Sequence, residues 1–193
     1  MKMAAVGKIE KLEIHPLTRQ RWTDFETLFG PNGASAGCWC MWWRMTNREF
    51  RNAGKEGHKE AMRTAVHSGA EPGLLAYADG VPAGWVAIAP RTDYPRLATL
   101  ETLYAVDGQE VWSIVCFFIH RNYRRHQIMQ PLVEAAVEFA RSRGAKIVEA
   151  YPLDIHEKVH SGRIYMGITS IYERCGFVEV ARRDYRPILR KTL

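Results

Sequence analysis

The chain has 193 residues, 47% of them hydrophobic, 11% aromatic and 25% charged, proportions of a folded globular protein with enough chain to bury a core without metal or disulfide staples. Its 27 basic and 21 acidic side chains leave a net charge of +6, a modest excess that suits an anionic ligand, and no apolar run approaches the ~18 residues of a membrane span. Disordered, fibrous and membrane-spanning classes are thereby excluded, and residues 1–7 lack the pattern of a secretory signal.

Taken in order, Ile9, Leu12 and Ile14 suggest a first strand within residues 8–17. Trp22, Phe25, Leu28 and Phe29 then fall at helical spacing, and Gly30-Pro31-Asn32-Gly33 stops that helix. Thr46-x-x-Glu49 is a capping box that opens a second helical region. Gly54 and Gly57 are expected to break it, leaving a further helix through Ala61, Met62, Ala65 and Val66 that stops near Gly69. Residues 74–77 and 83–89 read as a hairpin, since Asp79-Gly80 supplies the positive φ of a tight turn. Residues 111–119 are nearly all apolar, β-branched or aromatic, as in a strand buried on both faces.

The clearest helix follows. Met129, Leu132, Val133, Ala136, Val137 and Ala140 make one stripe, Pro131 belongs in the first turn, and Gly144 closes the helix. A strand is expected over 146–151 and a helix within 161–175, with Ser170-x-x-Glu173 as its cap and Gly176 as its stop. Closing strands are expected over 178–181 and 187–189. The order β-α-α-β-β-β-α-β-α-β-β predicts an α/β (α+β) fold: one mixed sheet with helices on its faces. No linker or repeat divides the chain, so residues 1–193 read as a single domain.

Cys38, Cys40, Cys116 and Cys175 lack the spacing of a metal site. Buried, reduced thiols and a cytoplasmic protein are the expectation. The basic residues do not form a stripe interleaved with aromatics, which argues against nucleic acid as partner. They concentrate instead in Ile119-His120-Arg121-Asn122-Tyr123-Arg124-Arg125-His126-Gln127-Ile128-Met129, a short loop between the buried strand and the amphipathic helix. A helix start leaves about four amide N–H groups unpaired, and arginines beside it make a site for phosphate or pyrophosphate.

That loop resembles the acyl-CoA loop, Arg/Gln-x-x-Gly-x-Gly/Ala, of the GNAT (Gcn5-related) N-acetyltransferases. Arg124 matches its first position, while Gln127 and Met129 stand where small residues are expected. Tyr172-Glu173-Arg174-Cys175-Gly176-Phe177 resembles the family's Tyr-x-x-x-Gly-Phe, and Val81-Pro82-Ala83-Gly84-Trp85-Val86 its junction of second and third strands. Residues 37–44 are similar to an uncharacterised bacterial branch of the same superfamily.

The resemblance implies a largely antiparallel sheet splayed between its fourth and fifth strands. Residues 73–193 would be the acyl-CoA-binding core, and 1–72 the acceptor side. It implies acetyl-CoA as acyl donor, with Phe118 and Ile119 along the pantetheine arm. Arg124, Arg125, His126, Gln127, Ile128 and Met129 would lie at the pyrophosphate. Tyr172 matches the usual general acid, although a core tyrosine on a helix face has the same pattern. Glu149 stands in an apolar run, either as a desolvated general base or in a structural ion pair. His120 at the strand end and Cys116 within it are further chemistry-bearing groups, with exposure and packing as their ordinary explanations. Trp39, Trp42 and Trp43 either line the acceptor site, where aromatic faces hold a flat ring or a cation, or plug the core beneath two helices. The expected reaction is acetylation of a primary amine of a small-molecule acceptor by direct attack in a ternary complex. A homodimer is a family habit. The bulky Gln127 and Met129 motivate the alternative of an acyl-CoA-binding or regulatory module with little turnover.

Overall fold

A computed structural model describes residues 7–154, 162 and 164–193. Among them seven strands form one sheet: β1 (Leu12–Pro16), β2 (Gly73–Ala78), β3 (Val81–Pro90), β4 (Trp112–Ile119), β5 (Ile147–Ala150), β6 (Val178–Arg183) and β7 (Arg186–Thr192). Their order is β1-β2-β3-β4-β5-β7-β6, antiparallel throughout except for the parallel β4–β5 pair. The helices are α1 (Trp22–Phe29), α2 (Asn47–His67), α3 (Met129–Ser142) and α4 (Thr169–Arg174). Among the described residues no helix is long and apolar enough to cross a membrane.

Alternation along the strands feeds two cores. Trp85, Ala87, Ala89 and Val115 join the α1 and α2 side, with Trp22, Phe25, Phe29 and Met62. Val86, Ile88, Ile114 and Phe117 join the α3 and α4 side, with Leu132, Val133, Ala136 and Tyr172. Strands covered on both faces need no polar alternation, which is why residues 111–119 read as one apolar run. Asp79 and Gly80 both take positive φ (50° and 79°), as the expected hairpin requires.

Two local expectations change. The break expected at Gly54 is present, its φ 61° and ψ −178° lying outside helical values, so Asn47–His67 is two helical pieces joined at that residue; Gly57 lies inside the second piece and does not break it. The capping box is formed, Thr46 Oγ1 accepting from the Glu49 N–H and Glu49 accepting from the Thr46 N–H. The last helix starts at Thr169, so Ser170 lies inside it. Ile168 stays extended because it bridges to Leu153. Of the helix expected over 161–175, residues 161 and 163 lie outside the described residues. Residues 91–103, which carry no periodic pattern, make three short 3-10 turns between β3 and β4.

One irregularity positions everything that follows. Ala87 of β3 pairs with Cys116 and Ile88 with Ile114, so Val115 has no partner and bulges. A bulge bends its strand and increases its twist. On the other edge β4 pairs with β5 only through Trp112, Ser113 and Ile114. Beyond Val115 the two parallel strands separate, which is the splay expected from the resemblance.

Candidate active site

Past Ile119 the chain makes a 3-10 turn (Arg121–Tyr123), crosses residues 124–128 and enters α3. The head of α3 sits down on the sheet at Gly84. A Cβ there would lie 3.0 Å from Ile119 Cδ1 and 3.3 Å from both Ile128 Cγ2 and Leu132 Cδ1, so a side chain would lift the helix start away. Ile128 is buried, Met129 and His126 are half-buried, and Arg124, Arg125 and Gln127 are exposed. Arg125 and Gln127 have φ of 69° and 57°, the left-handed conformation that glycine adopts most readily. Gln127 therefore departs from the glycine pattern in side chain while keeping its backbone shape. Ile128, at the N-cap, makes no side-chain cap, and α3 has no acidic residue in its first turn among the described residues. Its leading amides remain open to an anion. Arg124 Nε donates to the Ile119 carbonyl at 3.3 Å, folding the guanidinium over the strand end. His120 Nδ1 accepts from the Asn122 N–H at 3.4 Å. Burial first, then Arg121 and Arg124, push the His120 pKa down, favouring a neutral ring.

The open edge of β4 lies beside this loop. The His120 N–H pairs with Ala83 on β3 at 3.0 Å, so by alternation Phe118 also faces β3, whereas Phe117 and Ile119 present their N–H groups to the gap. Of the two residues expected along the pantetheine arm, Ile119 can offer a main-chain donor and Phe118 offers its side chain. The Phe117 N–H already has a partner: it donates to the Tyr165 carbonyl at 2.6 Å. Tyr165 belongs to a turn closed by Gly167 N–H to Ile164 carbonyl (2.8 Å) and tied beyond β5 by Leu153 N–H to Gly167 carbonyl (3.0 Å).

Tyr172 reaches the same turn from α4. Its hydroxyl donates to the Met166 carbonyl at 3.1 Å, and its ring meets Phe117 edge-on at 6.3 Å between centroids. The side chain is fully buried, and burial pushes its pKa well above the ordinary tyrosine value. Gly167 has φ 87°, and a Cβ there would lie 2.7 Å from the Tyr172 ring. Sequence reasoning missed Tyr165, Met166 and Gly167, which carry no motif; their importance comes from where β5 ends.

Glu149 sits in a closed network. Arg190 Nε donates to Oε2 at 2.7 Å, while the Tyr151 hydroxyl (2.6 Å) and Arg91 Nη1 (3.3 Å) donate to Oε1. Tyr151 Oη also lies 2.8 Å from Ser113 Oγ and accepts from Arg91 Nη1 at 2.6 Å. Arg190 continues to Asp107 through two hydrogen bonds of 2.7 and 3.1 Å, which hold the Asp107 carboxyl well below the usual range. Arg91 Nη2 donates to the Leu103 carbonyl at 2.6 Å. Of the two readings of Glu149, the geometry matches the ion pair: both oxygens accept from guanidiniums and the side chain is buried. The sequence gives no hint of this network. Arg190 lies 41 residues from Glu149 and 83 from Asp107, and Arg91 lies 58 from Glu149, so only the fold brings them together.

The three tryptophans part company. Trp39 is buried and stacks on Phe29 at 5.7 Å, which gives it to the core. Trp42 is 39% exposed, with the Arg96 guanidinium 3.8 Å from its ring centroid and Phe50 edge-on. Trp43 is buried against Tyr165 at 6.5 Å, and its indole N–H has no partner among the described residues. Trp43 approaches the open edge of β4 through Tyr165, and Trp39 approaches Phe118 of the same half-strand through Phe29.

A parallel strand pair opened by a bulge and capped by a basic loop at a helix start is the framework of an acyl-CoA-dependent transferase. The Acetyltransferase (GNAT) family profile matches residues 39–177, and the chain belongs to that family. Among solved structures it is similar to an acetyltransferase of the GNAT family from Listeria monocytogenes 4b F2365 (14% identity, 99% of each chain covered, TM-score 0.57). It is also similar to the PaiA N-acetyltransferase from Thermoplasma acidophilum in complex with coenzyme A (14% identity, 95% and 99% covered, TM-score 0.52). A third is the mosquito arylalkylamine N-acetyltransferase like 5b (10% identity, 95% and 100% covered, TM-score 0.56). At these identities the likeness is one of fold. None of the curated proteins compared matches the sequence. Acyl transfer with acetyl-CoA as donor is the reaction class of the family.

Proposed function

We propose that this acyltransferase acetylates a primary amine of a small-molecule acceptor by direct attack in a ternary complex. The observation that carries this reading is the Val115 bulge, which turns main-chain donors of β4 into a gap ending at the left-handed loop before α3. Arg124, Arg125, His126 and the amides of Gln127, Ile128 and Met129 would hold the pyrophosphate, with charge-assisted bonds from the guanidiniums. The Ile119 N–H would pair with the pantetheine arm beside the Phe118 side chain. The Phe117 N–H would polarise the thioester carbonyl once the Tyr165 carbonyl gives way. Tyr172, kept protonated by burial, would supply a proton to the leaving thiolate. Glu149 is committed to Arg91 and Arg190, so the amine proton would leave to solvent at the open edge.

Trp43 and Tyr165 would form the acceptor wall, where the indole N–H, without a partner among the described residues, would donate to an acceptor atom. We read residues 1–193 as one domain and assign it to the cytoplasm, where its four free cysteines stay reduced. The test is thermal shift with acetyl-CoA, then a thiol-release screen over amines. Stabilisation followed by release with at least one amine is expected; no stabilisation would overturn the reading.

One observation favours a second reading, an acyl-CoA-binding module with little turnover. The Phe117 N–H and the Tyr172 hydroxyl are both engaged by carbonyls of residues 165 and 166. Stabilisation by acetyl-CoA without thiol release from any amine would select it.

A further inference from the structure

Buried Arg190 meets Glu149 and Asp107, and half-buried Arg91 and Arg44 meet Glu149 and Asp93. Arg96, in the short turn Pro95–Ala98 between β3 and β4, is buried more deeply than these, with 3% of its surface exposed, and meets no carboxylate among the described residues. Its Nη1 donates to Asn47 Oδ1 and its Nη2 to the Thr46 carbonyl at 3.4 Å, while its Nε has no partner. The central carbon of the guanidinium lies 3.8 Å from the centroid of the Trp42 ring and 5.4 Å from that of Phe50. All of these neighbours are uncharged. Glu49, on the same helical turn as Asn47 and Phe50, is engaged by Thr46, accepting from its N–H at 2.8 Å and its hydroxyl at 2.7 Å. A charge removed from water is costly unless an opposite charge accompanies it. The aromatic faces and the two neutral acceptors offset part of that cost.

Arg96 lines a groove of about 230 Å³ together with Trp42, Asn47, Phe50 and Arg51. The polar groups of this groove are donors. Asn47 spends its Oδ1 on Arg96, which leaves its Nδ2 without a partner among the described residues. Arg51 is exposed, and no described carboxylate pairs with it. Two guanidiniums and an amide therefore line one small cavity that has no acidic side chain in its wall. Its volume falls below the ~300–1,000 Å³ of clefts that hold drug-sized ligands, so it suits a single small ion.

We propose that the groove between Arg96 and Arg51 binds a small oxyanion, a carboxylate or a phosphate, which supplies a counter-charge to Arg96. A guanidinium carries five N–H donors, and those of Arg96 meet only two acceptors, so donors remain for the anion's oxygens. Arg51 and the Asn47 amide add charge and hydrogen bonds from the rim, and the planar forks of the two arginines suit either ion. The bound anion ties the Pro95–Ala98 turn to Trp42 and to the start of α2, segments about 50 residues apart in sequence. None of these groups is assigned to acetyl-CoA or to the acceptor wall, so the site fills whether or not acyl transfer takes place.

Thermal unfolding of the full chain is compared in sodium succinate, sodium phosphate and sodium chloride at equal pH and ionic strength. An oxyanion should raise the unfolding midpoint by roughly 2–4 °C over chloride. Phosphate also meets Arg124 and Arg125, so the deciding comparison is Arg51→Ala, which leaves that loop intact and changes an exposed side chain. Its affinity for the oxyanion, read by calorimetric titration, should fall about tenfold with the loss of one charge-assisted contact. In Arg96→Gln the same binding should vanish; if that variant does not fold, Arg51→Ala decides alone. A response to succinate only, lost in Arg51→Ala, supports the site and makes its ion a carboxylate; a response to phosphate only, lost in the same variant, supports it and makes the ion a phosphate. Equal midpoints in all three salts, or an oxyanion affinity unchanged in Arg51→Ala, would overturn the proposal.

Discussion

The two halves of β4 are held by different forces. Trp112, Ser113 and Ile114 pair with β5, where Glu149, Tyr151, Arg91 and Arg190 bind strands β4, β5 and β7 to the 91–107 segment. After the bulge at Val115, Cys116 to Ile119 lose β5, and the Phe117 N–H meets one carbonyl of a turn. The first half is fixed by charges that cannot separate without stranding a partner in the core. The second half is closed by main-chain and hydroxyl bonds, each worth only ~0.5–1.5 kcal/mol net. A parallel pair pinned at one end and bent at the other must open. The network at Glu149 thus pins the end of β4 that lies before the gap.

Glu149→Gln tests that contrast most severely. It keeps the shape and removes the charge that Arg190 and Arg91 share. Loss of one member of a buried pair costs about 3–5 kcal/mol, so denaturant unfolding should show a drop of that size. Unchanged stability with lost turnover would return Glu149 to proton transfer. The next largest effect belongs to the loop. Arg124→Ala combined with Arg125→Ala should weaken acetyl-CoA binding by roughly 1–3 kcal/mol for each charge-assisted bond to phosphate that is removed. Calorimetry would read it, and the unfolding midpoint should stay put because both side chains are exposed.

Tyr172→Phe sharpens the other half of the comparison. The variant lacks the bond to the Met166 carbonyl, a stability change of about 0.5–1.5 kcal/mol. Turnover should fall much more than donor affinity. Wild-type turnover would leave Tyr172 as a core residue that anchors the turn.

The legible parts of this molecule are those whose physics is local. The α3 stripe, the Asp79-Gly80 hairpin and the Thr46–Glu49 capping box each depend on neighbours a few residues apart, and each stands where its pattern puts it. The anion loop is readable as a place, because a buried strand running into an amphipathic helix through arginines has few alternatives. Its residues are less readable by role: Phe117 rather than Phe118 offers its N–H to the gap, since one unpaired residue at Val115 resets the alternation. Nothing in a sequence marks a bulge inside an apolar run. The aromatic cluster poses the same difficulty. Six consecutive residues from Cys38 to Trp43 share an apolar character, yet the turn at Trp39 and Cys40 sends one tryptophan to the core, one to the surface and one to Tyr165.

The smallest expected effect concerns Gln127, where the family pattern and this sequence disagree. Gln127→Gly removes the strain of a left-handed side-chain-bearing residue, about 1–2 kcal/mol. It also frees the unfolded chain, which costs roughly 0.5–1 kcal/mol. The two oppose, so folding stability should shift by between about 0 and 1.5 kcal/mol in the stabilising direction. Because Gln127 is exposed and its backbone already has φ 57°, its side chain does not fill the space over the helix start. Donor affinity should accordingly stay within about twofold of wild type, where tenfold corresponds to ~1.4 kcal/mol. A gain of about tenfold or more, read by calorimetry, would mean that the glutamine obstructs the phosphates and that the loop's backbone shape alone does not make it competent.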